Sequence, residues 1–412
     1  MTGSILVVGG GIAGLTAALE AAEAGHEVHL VEKNHYLGGR VAQLHRYFPK
    51  LCPPSCGLEI NFKRIRQNPR IHCWTGAQVE KVDGPPGDLE VTVRVAPRYV
   101  NERCTACGDC VAVCPVERAD DFNYGLSRTT AIYLPHAFAF PLRFAVDRGV
   151  CPGLECGRCL PACKVDAIEL GMQPRSMKLK VGAVVYATGW QPYDAARLEG
   201  LGFGQAKNVI TNVMMERLAA PGGPTAGKIT RPSDGRPPQH VVFVQCAGSR
   251  DENHLAYCSA VCCLASLKQA TYVREQVPDA RVHMFYIDVR TPGRYEDFYT
   301  KVAADPNVTL SRGKVARVSE LPGSGNLLVE AENTLTGELL RVETELVVLA
   351  TGMQPTASAV AHDSLGFLRV DRAAGFGAAG CARRPADVAG SVQDATGAAL
   401  RAIQTAGRPI HG

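Results

Sequence analysis

Half of the sixteen cysteines fall in two dense blocks. The first reads C-T-A-C-G-D-C-V-A-V-C-P over residues 104–115, and the second C-P-G-L-E-C-G-R-C-L-P-A-C over residues 151–163. Three closely spaced thiolates can cap the corners of one iron–sulfur cube, while a fourth, three residues on and followed by proline, reaches across to a neighbouring cube. On this reading Cys104, Cys107 and Cys110 hold one [4Fe–4S] cluster with Cys163 as the distant ligand. Cys151, Cys156 and Cys159 hold the other, with Cys114. The second block departs from the first in having four residues between its leading cysteines and Lys164 in place of the proline. A longer first loop still reaches a cube corner. Zinc knuckles would use two C-x-x-C pairs and four thiolates in all, so eight thiolates point to two clusters and to the transfer of single electrons.

The segments on either side must hold these blocks and supply a partner centre. An apolar strand over Ile5–Val8 feeds a glycine turn, an alanine-rich helix ending near Gly25, and a second strand over residues 28–31. Gly9, Gly11 and Gly14 match G-x-G-x-x-G, in which the first glycine permits the tight turn, the second lets backbone approach a pyrophosphate, and the third lets helix pack on strand. The helix N-terminus then faces the phosphates. Glu32, closing the second strand, stands where an acidic side chain binds a ribose. Just beyond, Gly38, Gly39 and Arg40 are similar to the second phosphate loop of flavoproteins of the glutathione-reductase type, which turns the expected nucleotide from NAD to FAD.

An internal repeat supports two such domains. V-G-A-V-V-Y-A-T-G-W-Q-P ends at Pro192 and T-E-L-V-V-L-A-T-G-M-Q-P ends at Pro355, each a buried strand running into Ala-Thr-Gly, as at the crossings between the domains of such flavoproteins. The second copy supplies Thr351 and Gly352. Residues 378–399 resemble the closing flavin motif, with Gly380 in place and Cys381 where an aspartate ordinarily meets the ribityl chain. Cys381 is read as a small buried residue, with a ligand as the alternative. The expected fold is α/β: two Rossmann-like dinucleotide-binding domains of the glutathione/thioredoxin reductase type, with an inserted two-cluster ferredoxin-like domain. The FAD-binding domain is expected over residues 1–95, 176–235 and 351–412, the insert over 96–175, and the second Rossmann-like domain over 236–350. That second domain opens with H-V-V-F-V but continues Q-C-A-G-S-R-D-E, so the nicotinamide fingerprint is missing.

A length of 412 residues accommodates two or three domains. Apolar residues at 46% and charged residues at 20% are ordinary for a globular protein, and a net charge of +4 is too weak to suggest nucleic acid. No apolar run approaches the roughly 18 residues of a membrane helix, and with an apolar strand starting by Ile5 no signal peptide is expected. A cytoplasmic chain is therefore expected, whose cysteines serve as metal ligands and redox thiols. Membrane association would come through a partner.

Other thiols remain. Cys258, Cys262 and Cys263 sit in Y-C-S-A-V-C-C at an expected helix start, with Cys258 and Cys262 four apart on one face, and Cys52 and Cys56 sit in C-P-P-S-C-G. Three readings are open: a third iron–sulfur cluster drawing on Cys52, Cys56, Cys258 and one of Cys262 or Cys263; an exchangeable disulfide near the flavin; or buried structural cysteines. Lys268, on the same helix, could set an ammonium near flavin N5; a solvated lysine is the plain alternative.

Q-C-A-G-S-R-D-E, Y-C-S-A-V-C-C, the insert with A-I-Y-L-P at residues 131–135 and the closing A-A-G-C together resemble the A-type iron–sulfur subunits of heterodisulfide reductase, over essentially the whole chain. Long members of that family carry further iron–sulfur modules at one or both ends. The short form, with C-P-P-S-C-G, resembles the corresponding A-type component of the quinone-interacting membrane-bound oxidoreductase of sulfate reducers and sulfur oxidisers. The resemblance implies an FAD-containing electron-transfer subunit that works with a quinone-linked membrane subunit and a related flavin and iron–sulfur subunit. It implies adenylylsulfate reductase as the soluble partner, and a position at the inner face of the membrane through those partners. Other readings are a component of a soluble heterodisulfide reductase-like complex, an NAD(P)H-dependent ferredoxin or disulfide oxidoreductase, and a scaffold that carries clusters for another chain. The missing second glycine fingerprint weighs against the NAD(P)H reading.

Overall fold

The computed structural model describes residues 3–356, 360–370 and 375–407. The chain divides into two compact units, one of Met1–Trp190, Pro355–Arg384 and Val388–Gly412, the other of Gln191–Gln354 and Pro385–Asp387. The crossings at 190/191 and 354/355 each follow an Ala-Thr-Gly of the repeat.

In the first unit, five parallel strands run in the order Phe376–Ala378, Ala183–Tyr186, Ile5–Val8, Val28–Glu32, Ile71–Thr75. Ile5, Leu6 and Val7 form an unbroken apolar run because the strand is covered on both faces. On one face the helix Ile12–Glu23 turns Ala17, Ala18 and Ala21 into the same core as Ala395, Ala398 and Ala402 of the helix Val388–Ala406. Alanine faces let two helices and the sheet approach closely. The antiparallel sheet of Arg175–Val181, Leu89–Val95 and Ala77–Asp83 covers the other face.

The cysteine-rich insert belongs to this unit. It has two short hairpins and the one-turn helices Asp109–Ala112 and Cys159–Ala162. Its base is pinned by Arg98, which is buried and donates to the carbonyls of Arg143 (2.9 Å) and Phe144 and to Thr75 Oγ1 (3.2 Å). Small polypeptide lobes with so little regular structure depend on such tethers and on bound groups for rigidity.

The second unit repeats the plan with a parallel sheet ordered Val209–Thr211, Leu346–Thr351, His240–Ala247, Arg281–Tyr286, Val308–Arg312. A three-stranded antiparallel sheet, Val315–Glu320, Leu327–Glu332 and Leu339–Thr344, packs into its core. One boundary is corrected here. Residues 191–235, expected with the FAD-binding domain, belong to the second unit, because Val209–Thr211 pairs with Leu346–Thr351 and Thr211 caps the helix Asn212–Ala219. Residues 351–354 move with them. Among the described residues no helix is long and apolar enough to cross a membrane.

Candidate cluster and dinucleotide sites

Each block of cysteines contains one short helix, with the other cysteines in the flanking turns. Cys110 lies on Asp109–Ala112, and Cys159 opens Cys159–Ala162 with Cys163 at its end. The thiols line two separate pockets within the insert. Cys104, Cys107, Cys110 and Cys163 line the first. Cys114, Cys151, Cys156 and Cys159 line the second. The crossed sets are therefore brought together in space. The two extra residues of the second block are taken up by a 3-10 turn over Gly153–Glu155, which returns Cys156 to the same ring as Cys151.

Burial pushes the Cys110 thiol up to about 12, with Cys104 and Cys107 adding to the shift. Cys159 is raised by burial and then by Cys151, Cys114 and Cys156. Burial and crowding hold these groups as neutral thiols, and a cationic group bound among them would favour the thiolate form instead. Cys163 Sγ already accepts the Ala167 N–H at 3.2 Å, a hydrogen bond of the kind that tunes cluster potentials. Among the described residues no three His, Cys, Asp or Glu side chains converge tightly enough for a single metal ion. The insert's thiols stand apart around a void, which fits a cube with ligands at its corners.

The glycine turn forms as its spacing requires. Gly11 precedes the helix Ile12–Glu23, and a methyl at Gly14 would lie 1.7 Å from the Gly9 carbonyl oxygen, so only glycine lets helix and turn close up. Glu32 is buried, and its carboxylate accepts the N–H of Gly10 (2.6 Å) and of Asn34 (2.8 Å). Desolvation holds its pKa above the ordinary range, with the two N–H bonds opposing. The second loop is laid directly on the first: the Gly38 N–H donates to the Gly10 carbonyl at 2.8 Å, and a Cβ at Gly39 would come 2.8 Å from Gly11 Cα. Two glycine loops in backbone contact at a helix start, too crowded there for side chains, fit the approach of a dinucleotide pyrophosphate. Arg40 donates through Nε to the Trp190 carbonyl at 3.2 Å. Gly380 donates its N–H to Asp394 at 2.9 Å, and Asp394 also pairs with Arg383. Cys381 is buried with Sγ 3.7 Å from Ser391 Oγ.

The remaining thiols are redistributed relative to expectation. Cys52 and Cys56 belong to the first unit, where Cys56 sits in the first turn of the helix Pro54–Gln67 and both thiols influence the Tyr47 hydroxyl. Cys258 and Cys262 belong to the second unit, and the helix Cys262–Gln276 starts at Cys262, so Cys258 precedes it rather than sharing its face. Within the second unit, Cys246, Cys258 and Cys263 lie close enough to Cys262 to act on it electrostatically. Burial raises Cys246 to about 11 and Cys262 further, and in both cases the other thiols of the group push the same way. Cys263 is raised by burial and by Cys258. Cys246 was missed in the sequence although Q-C-A-G-S-R-D-E displays it; it stands on a strand, at φ +55° where the register shifts, apart in sequence from the other three. Its neighbour Gln245 is 6% exposed, and neither of its side-chain polar atoms has a hydrogen-bond partner. An orphaned buried amide is rare and fits an additional group bound nearby.

Lys268, on the same helix, is not solvated. Its Nζ lies 3.1 Å from Glu216 Oε1, with the two side chains 5% and 2% exposed, and Gln269 Nε2 donates to the same carboxylate at 2.7 Å. Thr351 Oγ1 donates to Asn212 Oδ1 at 3.1 Å, and the Gly352 carbonyl accepts the Tyr193 N–H, in this same unit. Lys268→Met is expected to cost about 3–5 kcal/mol by stranding a buried carboxylate. Pairing it with Glu216→Gln should recover most of that loss in thermal melting. Additive costs in the double variant would show that the pair is not coupled.

A family model for an NAD(P)-binding Rossmann-like domain matches residues 7–70. Among solved structures, thioredoxin reductase of T. acidophilum aligns over 98% of each chain with a TM-score of 0.53 and 16% identity, a likeness of fold. The fold defines the class: two Rossmann-like units of the thioredoxin reductase type, the first bearing a cysteine-rich insert. The A-type iron–sulfur subunit of CoB–CoM heterodisulfide reductase from Methanocaldococcus jannaschii is 42% identical over 358 residues, 85% of this chain and 54% of its own length. One of the corresponding Methanopyrus kandleri proteins is 40% identical over 427 aligned positions, covering 97% of this chain and 63% of that protein. The chain belongs to the family of A-type heterodisulfide reductase subunits, and it spans between half and two thirds of these relatives' length.

Proposed function

We infer that the chain is an electron-transfer subunit holding FAD in its first unit, two [4Fe–4S] clusters in its insert, and a third cluster on Cys246, Cys258, Cys262 and Cys263. The observation that carries this reading is the sorting of eight cysteines, by space and against sequence order, into two rings of four. Bound there, FAD exchanges two electrons and each cluster one, so the protein pools or divides electron pairs. The chain's own part is to hold and to insulate. Gly9, Gly11, Gly14 and Gly39 supply the pyrophosphate cradle, Glu32 the ribose contact, and Gly380 and Cys381 the wall near the ribityl chain. Lys268, fixed by Glu216, offers a buried positive charge, and Thr351 and Gly352 close the second sheet behind it.

Nicotinamide nucleotide is not the donor in this proposal. Where a glycine turn would receive it, the strand His240–Ala247 passes into a long loop whose Arg250 pairs with Asp288 at 2.8 Å. NADH alone is expected to leave the flavin oxidised. The finer reading places the protein between adenylylsulfate reductase and a quinone-linked membrane module with its related flavin and iron–sulfur subunit. A second reading, a soluble heterodisulfide reductase-like complex, is favoured by the names of the relatives, which are CoB–CoM heterodisulfide reductase subunits. The proteins that co-purify with the native chain, quinone-binding membrane protein or none, decide between them.

The test is anaerobic purification with iron, acid-labile sulfide and FAD measured per chain. About twelve irons are expected, four per cluster. Cys246→Ala is expected to lower that by about four, while Cys52→Ala leaves it unchanged. The opposite result would return the third cluster to the C-P-P-S-C-G thiols, and about eight irons in the unaltered protein would remove it.

A further inference from the structure

We propose that Tyr124 of the insert is a positioning residue for the dinucleotide site, so that nucleotide affinity and docking of the cysteine-rich lobe are thermodynamically linked. The inference rests on the reading that the first unit binds FAD. It begins with a loop braced for delivery. Asp120 accepts from the Phe122 N–H at 3.0 Å, from Asn123 Nδ2 at 2.7 Å and from Ser127 Oγ at 3.1 Å. These bonds hold a 3-10 turn over Asp121–Asn123 and leave Tyr124 beyond it at φ +53°, a left-handed conformation costly for a residue with a side chain.

The strained residue reaches the second phosphate loop. Arg40 Nη1 donates to the Tyr124 hydroxyl oxygen at 3.1 Å and to Gln43 Oε1 at 3.0 Å, and the Tyr124 hydroxyl donates to that same Oε1 at 3.0 Å. Gln43 Nε2 returns a bond to the Phe122 carbonyl at 3.0 Å. The Arg40 guanidinium lies 5.7 Å from the Tyr124 ring centroid and 5.8 Å from that of Trp190. Arg40 and Gln43 both belong to the 3-10 turn Gly39–Gln43, whose leading Gly38 is bonded to Gly10 in the first glycine turn. A continuous chain of hydrogen bonds therefore runs from the insert to the backbone that would cradle the pyrophosphate.

Arg40 is thereby committed to the loop and the insert, and the phosphates are left to the backbone N–H groups. Whatever orders the Gly39–Gln43 turn also orders its tie to Tyr124, so a dinucleotide that needs the turn should tighten the insert's docking. By reciprocity the tie raises nucleotide affinity by the same factor.

The experiment uses the full-length protein with its iron intact, deflavinated and titrated with FAD, beside Tyr124→Phe. The variant keeps the ring and loses the hydroxyl. Its iron and sulfide should match the wild type, which shows that the insert is formed. Its FAD dissociation constant should rise about tenfold, the worth of hydrogen bonds to a charged group. Hydrogen exchange of residues 120–130 should slow by about the same factor when FAD is added to the wild type and stay unchanged in the variant. Equal FAD affinities, or exchange in the insert that ignores FAD in the wild type, would overturn the proposal. A wild-type protein that binds no FAD would instead sink the reading on which it stands, and the proposal with it.

Discussion

Replacing Cys163 with alanine is expected to remove about four irons per chain, and to remove them from the cluster of the first block. In sequence Cys163 follows Cys159 by one helical turn, and a reading by proximity would assign both to one centre. In space Cys163 lines the void of Cys104, Cys107 and Cys110, while Cys159 lines the other. Double variants expose the crossing. Cys163→Ala with Cys107→Ala should lose no more iron than either change alone, because both empty the same ring. Cys163→Ala with Cys156→Ala should lose about eight irons, because each empties a different one. Electron paramagnetic resonance of the reduced single variants should retain one insert cluster signal in each case. If the Cys163 and Cys156 double variant retained as much iron as the singles, the crossed assignment would be wrong.

Gly14→Ala is expected to abolish stoichiometric FAD and to lower the melting temperature sharply. The added methyl would stand 1.7 Å from the Gly9 carbonyl oxygen, and the turn cannot retreat, since Gly9 is itself pressed against the Ala187 carbonyl, 2.2 Å from where its own Cβ would be. Relief requires helix to leave strand, a forced overpacking that costs about 1–3 kcal/mol or more and displaces the N–H groups that face the phosphates. Gly25→Ala is the control. It has a positive φ, +98°, but nothing lies within 4 Å of its would-be Cβ, so it should keep FAD and lose only about 1 kcal/mol. Flavin absorbance per chain and thermal melting read both variants. Full flavin in Gly14→Ala would show that this turn is not the nucleotide's cradle.

Much of this protein is legible because its chemistry is local. The glycine turn, the strand ending in Glu32 and the paired Ala-Thr-Gly crossings are each contained in a few consecutive residues, and steric limits on φ and on helix approach leave such patterns few other uses. The two-unit Rossmann-like fold follows from them, while the resemblance to the heterodisulfide reductase family rests on Q-C-A-G-S-R-D-E, Y-C-S-A-V-C-C, the insert and the closing A-A-G-C, and the solved fold and the relatives bear both out. The candidate site was legible where the proposed ligands crowd one short stretch, as Cys107, Cys110 and Cys114 do around the helix Asp109–Ala112. It was less so for Lys268, whose partner Glu216 lies on another helix and leaves no mark near it in the chain.

Residue order alone carries the local devices: two cysteine blocks, one glycine turn with Glu32 at the end of the following strand, and a second sheet without the nicotinamide fingerprint. Spacing along the backbone is enough for these, since covalent geometry ties neighbouring residues to a narrow range of separations. How the devices combine was settled by folding in three dimensions. Residues 191–235 went to the second unit because the strand Val209–Thr211 found its partner in Leu346–Thr351, a pairing between distant segments that no local pattern encodes. Cys246, on the strand His240–Ala247, comes within electrostatic reach of Cys258, Cys262 and Cys263 at the start of the helix Cys262–Gln276, an approach that sequence separation does not display. Tyr124 reached Arg40 because a braced loop of the insert folds back on the glycine turns. Parallel sheets bring together residues that the chain itself keeps far apart, so the crossover connections, rather than the spacing, select which side chains meet.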